Sequence, residues 1–231
     1  LLDRFDVAYT VRADGSVAVE ETVTLRFGTS SGRHGFDRNL VTREPYDNDE
    51  DMIYEVSNVR VTSPDDVSTK VQQTRTKPSA RDEVLRIRIG DANRTISAAT
   101  ATYVIAYDVN GALRTTQGTP QLYWDAVGSG MPRIAAATVT VTTAGEVRNA
   151  NCFTGPPQST DSCTSAAHSG DTATFTQDGI AKGSLLTIGV ELDPASVSNI
   201  TPIRVARGDA ADIAVTRALQ GAGVASAVGI A

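Results

Sequence analysis

The sequence is poor in the residues that metal chemistry, nucleophilic catalysis and nucleic-acid binding draw on. Its 231 residues include two cysteines, two histidines (His34 and His168) and one tryptophan. Lysine occurs only at Lys70, Lys77 and Lys182, so arginine carries most of the 21 basic charges. No Lys/Arg run is present, and a net charge of −6 with a pI near 4.9 argues against a nucleic-acid partner. No helical period interrupts the chain before residue 195. Residues 218–231 carry no charge but are too few to span a bilayer, which takes about 20. They are either the start of a span or a frayed tail of small residues. There is no initiating methionine, which leads us to expect a signal or membrane segment upstream.

What is present is period two. Phe5, Val7, Tyr9 and Val11 alternate with polar residues, Asp14-Gly15 supplies a turn, and Val17, Val19, Val23, Leu25 and Phe27 alternate again. Short β-branched or aromatic runs follow at 53–61, 84–89, 103–109, 121–127, 135–141, 172–175 and 185–192. The spacing predicts an all-β protein, an antiparallel β-sandwich over 1–195, built as one unit or as two immunoglobulin-like lobes, 1–112 and 113–195. Residues 196–231 read as a linker and juxtamembrane tail, with a short helix over Asp209–Leu219 or irregular structure.

The two cysteines, Cys152 and Cys163, flank a short polar loop with no other zinc ligands nearby. A local disulfide fits, and would stabilise the fold by about 3 kcal/mol in the chain-entropy model. It favours an oxidising, extracytoplasmic compartment. Two buried thiols are the alternative.

Candidate sites are sparse. Gly28-Thr29-Ser30-Ser31-Gly32, followed by His34, spells a nucleophile elbow, but no helical face follows it and His168 sits in a polar loop. Asp47, Asp49, Glu50 and Asp51 could hold calcium. Met52 and Asn58 break the EF-hand pattern, however, so a solvated acidic loop is expected and no metal or cofactor is assigned. Arg207-Gly208-Asp209 is a chance adhesion tripeptide. The informative residue is Glu21, which alternation points to the same side as Val17, Val19, Val23, Leu25 and Phe27. A carboxylate there needs a partner, and Arg38 is the nearest candidate. The alternative is a bulge at Glu20-Glu21 that turns the side chain outward.

Four segments in order resemble a known family. They are Asp14–Glu21, Gly35–Leu40, Ile87–Asp91, and Tyr103–Leu113 followed by Leu122-Tyr123-Trp124-Asp125. Together they resemble bacterial predicted membrane proteins with domain of unknown function 2207, over about residues 5–192. Asp125 stands where that family usually has asparagine, and a tryptophan common after Gly128 is missing. The resemblance implies a β domain on the extracytoplasmic face, anchored by membrane segments outside this chain. It makes Arg33–Leu40 a structural corner with Arg38 as its arginine, and carries no activity.

The expected function is therefore non-enzymatic: a bacterial cell-envelope ectodomain that binds an envelope protein or glycan, with Trp124, Tyr123 and Tyr46 as contact aromatics. Trp124 reads equally as core. The alternatives are a structural or assembly subunit of a membrane complex and a cell-wall hydrolase using Asp37 and Asp125.

Overall fold

A computed structural model of the chain describes residues 1–28 and 32–207, and every regular element among them is a strand. The first half holds β1 (Leu2–Val11), β2 (Val17–Arg26), β3 (Gly35–Pro45), β4 (Glu50–Ile53), β5 (Glu55–Thr62), β6 (Val71–Thr76), β7 (Glu83–Gly90) and β8 (Thr100–Asn110). The second holds β9 (Leu113–Thr116), β10 (Thr119–Val127), β11 (Ile134–Thr143), β12 (Val147–Gly155), β13 (Asp161–Ser162), β14 (Ser165–Ser169), β15 (Thr172–Ile180), β16 (Leu185–Leu192) and β17 (Ile203–Ala206). The helix expected over Asp209–Leu219, the end of the adhesion tripeptide and Thr29–Ser31 of the elbow lie outside the described residues.

The β1–β2 hairpin forms as its alternation requires. Asp14 Oδ1 accepts from the Ser16 amide at 2.9 Å and hydroxyl at 2.6 Å, closing the turn. Phe5, Val7, Tyr9 and Val11 are buried, each a side chain whose removal from water stabilises by roughly 1.5–3 kcal/mol. The hairpin sits in a wide seven-stranded sheet of order β14-β15-β11-β1-β2-β8-β5. Two five-stranded sheets, β17-β4-β3-β7-β6 and β13-β12-β16-β10-β9, complete the fold. Phe36 of β3 packs on Tyr103 of β8 at 5.2 Å between ring centres, so the β3 sheet covers one part of the wide sheet. Cys152 of β12 contacts the Ser165 carbonyl of β14, and the β10 sheet covers another part.

Among the described residues all strand pairings are antiparallel but one. β1 pairs with β11 in parallel from Leu2↔Ile134 to Val11↔Thr143. Parallel neighbours need a long crossover, and nearly the whole intervening chain supplies it. That pair joins the segments 1–112 and 113–195 in one sheet. The first gives β5, β8, β2 and β1, the second β11, β15 and β14, and the buried side chains form one contiguous core.

Two local readings need correction. The run 53–61 is not one strand: the chain leaves the β3 sheet after Ile53, and β5 joins the edge of the wide sheet. Gly35–Leu40 is not a corner but the start of β3, a strand whose inward positions include an arginine and which therefore hides its period.

Candidate functional site

The two covering sheets stop short of each other. β3 pairs with β7 from Gly35 to Arg43, but β4 covers its other edge only at Arg43–Pro45. β10 pairs with β16 from Gln121 to Val127, but β9 covers its other edge only at Thr119–Leu122. The uncovered stretches meet at a cleft of about 290 Å³ lined by Arg38–Val41 on one side and Tyr123–Asp125 on the other. Both strands carry the same polarity. Arg38, Leu40, Leu122 and Ala126 are buried, whereas Asn39, Val41, Tyr123 and Asp125 face outward.

Aromatic and charged groups furnish the cleft. Trp124 meets Tyr54 edge-on, with ring centres 4.9 Å apart. Tyr54 donates to Glu44 Oε1 at 2.5 Å and accepts from Arg114 Nη2 at 3.1 Å. Burial, then the Glu44 charge, hold the Tyr54 hydroxyl well above the usual phenol range. The Arg114 guanidinium lies 5.6 Å over the Tyr123 ring. Asp125 opens to the cleft and accepts from the Thr187 hydroxyl at 2.5 Å. The cleft walls crowd its carboxyl, and this partial loss of water raises its pKa against the opposing pull of Thr187 and Arg114.

Under the cleft floor lies the charged pair. Arg38 Nε and Nη2 donate to Glu21 Oε2 and Oε1, each at 2.7 Å, and Tyr107 donates to Oε1 at 2.7 Å. β2 keeps its register against β1 and β8 through Glu21, so no bulge turns the carboxylate outward. Burial by itself would lower the Arg38 pKa, but the charge and hydrogen bonds of Glu21 outweigh it and hold the guanidinium above its ordinary range. Arg38 Nη1 also donates to the Asn39 carbonyl at 2.7 Å, tying the buried pair to the cleft edge. Beside Trp124, the Tyr9 hydroxyl is fully buried, and its approach to the indole is too loose to count as a hydrogen bond.

Of the three aromatics expected to make contacts, Trp124 and Tyr123 line this cleft together. Tyr46 lies outside it, 48% exposed beneath Arg204 at 5.1 Å. Asp37 and Asp125 line different hollows. Asp37 is held by Arg86 and by Arg88, the latter at 3.3 Å, and these contacts outweigh burial and lower its carboxyl pKa. The acidic loop is only partly solvated. Asp47 accepts from the amides of Asp49 and Glu50, which hold its pKa down, while Asp51 is fully buried between Arg43 and Arg81. Among the described residues no cluster of three metal-ligating side chains occurs. His34 faces the Arg94 carbonyl at 3.1 Å, and the strand β3 follows it in place of the helix an elbow needs. Cys152 and Cys163 are joined, their Cα atoms 5.6 Å apart. Glu44, Tyr54 and Arg114 were invisible as site residues, because only the meeting of two sheets brings them together.

The family model described as "Predicted membrane protein (DUF2207) N-terminal domain" matches residues 2–192. The chain belongs to this family. No curated protein matches the sequence. Among solved structures, the DUF2207 domain is similar to leukotriene A4 hydrolase from Saccharomyces cerevisiae at 13% identity and a TM-score of 0.47, over 82% of this chain and 28% of that one. It is also similar to an M1 zinc metallopeptidase from Deinococcus radiodurans at 13% identity and a TM-score of 0.39, over 81% of this chain and 41% of the other. The DUF2207 domain thus spans less than half of either protein. Among its described residues no helix is long and apolar enough to cross a membrane.

Proposed function

We propose that the DUF2207 domain is a non-enzymatic binding domain on the extracytoplasmic face of a bacterial membrane protein, and that it takes an envelope partner in the Trp124 cleft. The observation that carries this reading is the seam itself: one concave site where Trp124, Tyr123 and Tyr54 stand with Arg114, Glu44 and Asp125. A hollow with aromatic walls and a few convergent polar groups is the usual form of a recognition site. The disulfide supports an oxidising compartment.

The sole tryptophan makes the test direct, since all indole emission comes from the cleft. Solubilised envelope material, divided into glycan fragments and a peptide digest, is titrated against the 231-residue chain. One fraction is expected to change Trp124 emission saturably, with Tyr123→Ala and Arg114→Ala each weakening binding about tenfold or more, as buried aromatic and arginine anchors do. No change with either fraction would contradict the proposal.

A further inference from the structure

Backbone pairing around the cleft says more about its occupant than the side chains do. Sheet interiors leave no backbone group unpaired, whereas an edge strand presents a row of free N–H and C=O groups. Here two such edges occur inside one layer, β3 at 36–41 and β10 at 123–127. Successive residues of both strands, odd and even alike, line the cleft, as a strand seen from its edge requires. On the β3 side the Asn39 carbonyl is already taken by Arg38 Nη1. Among the described residues no turn, loop or cap hydrogen bond reaches the remaining backbone of 36–41 or 123–127. Because the two edges face each other across a cleft, they are shielded from the edge-to-edge pairing that exposed strands invite.

Resting on the binding reading above, we infer that the cleft is a vacant strand position, filled by an extended segment of a partner protein that pairs with β3 on one side and β10 on the other. The turn Gly128–Gly130 lies against Asn39 at one end, where a Cβ on Gly130 would come within 3.9 Å of the side-chain Nδ2 of Asn39. The slot is therefore short. The four residues Arg38–Val41 that line it match a guest stretch of about four residues at roughly 3.3 Å each. A second hollow shares Tyr123, Asp125 and Leu185 with the cleft and gives the guest chain a path out past Phe153 and Pro156. Guest side chains alternate like those of the walls. Inward ones pack on Trp124, and outward ones lie between Asn39 and Val41 on one flank and Tyr123 and Asp125 on the other. Asp125 has a neutral hydroxyl as its hydrogen-bond partner, so it favours a lysine or arginine on that outward face. The occupant is thus an alternating, extended peptide with a basic outward residue, an instance of strand addition.

The probe is a displayed library of random ten-residue peptides selected against the 231-residue chain. Enriched peptides are expected to alternate apolar and polar residues around a Lys or Arg. N-methylation at any one of the roughly four guest residues seated between the walls should cost about tenfold or more in affinity, with little effect at residues outside the slot. Successive amides point to β3 and β10 in turn, so each blocked amide loses one sheet hydrogen bond. Ser129→Trp, which puts a bulky side chain on the turn that closes one end of the slot, should weaken binding comparably with the unfolding temperature unchanged. Full affinity in peptides N-methylated within the seated stretch, or full affinity in Ser129→Trp, overturns strand addition. So does enrichment of no peptide while the glycan fraction saturates Trp124 emission, a result that leaves the binding cleft standing. If neither peptides nor envelope fractions bind, both readings fall.

Discussion

At the scale of single residues, the most consequential choice in this chain is the burial of a full ion pair. Glu21 is fully buried, and Arg38 nearly so, with a two-pronged contact between them. Such pairs are not strong sources of net stability, because desolvation offsets most of the attraction. Breaking one is another matter, since the partner is left charged in a dry site. Arg38→Ala should therefore cost about 3–5 kcal/mol in chemical denaturation. Arg33→Ala, at an exposed position, should change stability by less than about 0.5 kcal/mol. Equal unfolding midpoints for the two variants would refute the pairing. This residue was legible from sequence, because alternation along one strand is enough to expose a carboxylate on the wrong face. Asp51 was not. Its partners are Arg43 and Arg81, and the latter lies thirty residues on with no local sign of the meeting.

Asp125 gives a second prediction at this scale, and its sign is the reverse of the common carboxylate case. Its folded pKa is raised by burial. Between the unfolded value of about 3.9 and the folded one, the native chain binds more protons, so stability declines as pH rises through that window. At neutral pH the charged carboxylate is thus a cost to folding. Asp125→Asn should melt above the parent at pH 7, and the difference should vanish as pH is taken below about 3.9. A gap of constant size across that range would show that Asp125 does not titrate abnormally.

At the scale of elements, legibility follows the purity of the period. β2 and, from Phe5 on, β1 alternate cleanly and stand where the sequence puts them. β3 alternates as well, but an arginine occupies one of its inward positions, so its pattern resembles a polar corner. Residues 53–61 fail in the opposite way: an unbroken β-like run conceals the break at Tyr54, where the chain passes from one sheet to another. What begins β3 is a backbone constraint. Gly35 has φ near +149°, and a Cβ there would fall 1.8 Å from the Ile89 carbonyl oxygen of β7. Gly35→Ala should therefore separate the start of β3 from β7 and destabilise by about 2 kcal/mol or more, read as a lower midpoint in thermal or urea unfolding. A midpoint within error of the parent would mean that the close approach is not required.

At the scale of the whole molecule, the defining feature is a wide sheet under two narrower ones that do not meet. No stretch of sequence encodes that seam. It arises because β4 and β9 are each only four residues long and leave the edges of longer neighbours bare. Trp124 was readable as either core or contact, and the structure puts it at the seam. The indole packs on Tyr54 and is only partly buried, at the boundary between the layers. Other bare edges exist: every residue of β6 and β14 is exposed, and neither strand adjoins the cleft. They set the comparison for the decisive measurement, amide hydrogen exchange on the protein in its own membrane against the isolated 231-residue chain. If the seam is where this domain engages its partner, exchange in the membrane slows at 38–41 and 123–127 and stays unchanged at 71–76 and 165–169. Unaltered exchange along the seam, or slowing confined to the outer edges, would contradict the account.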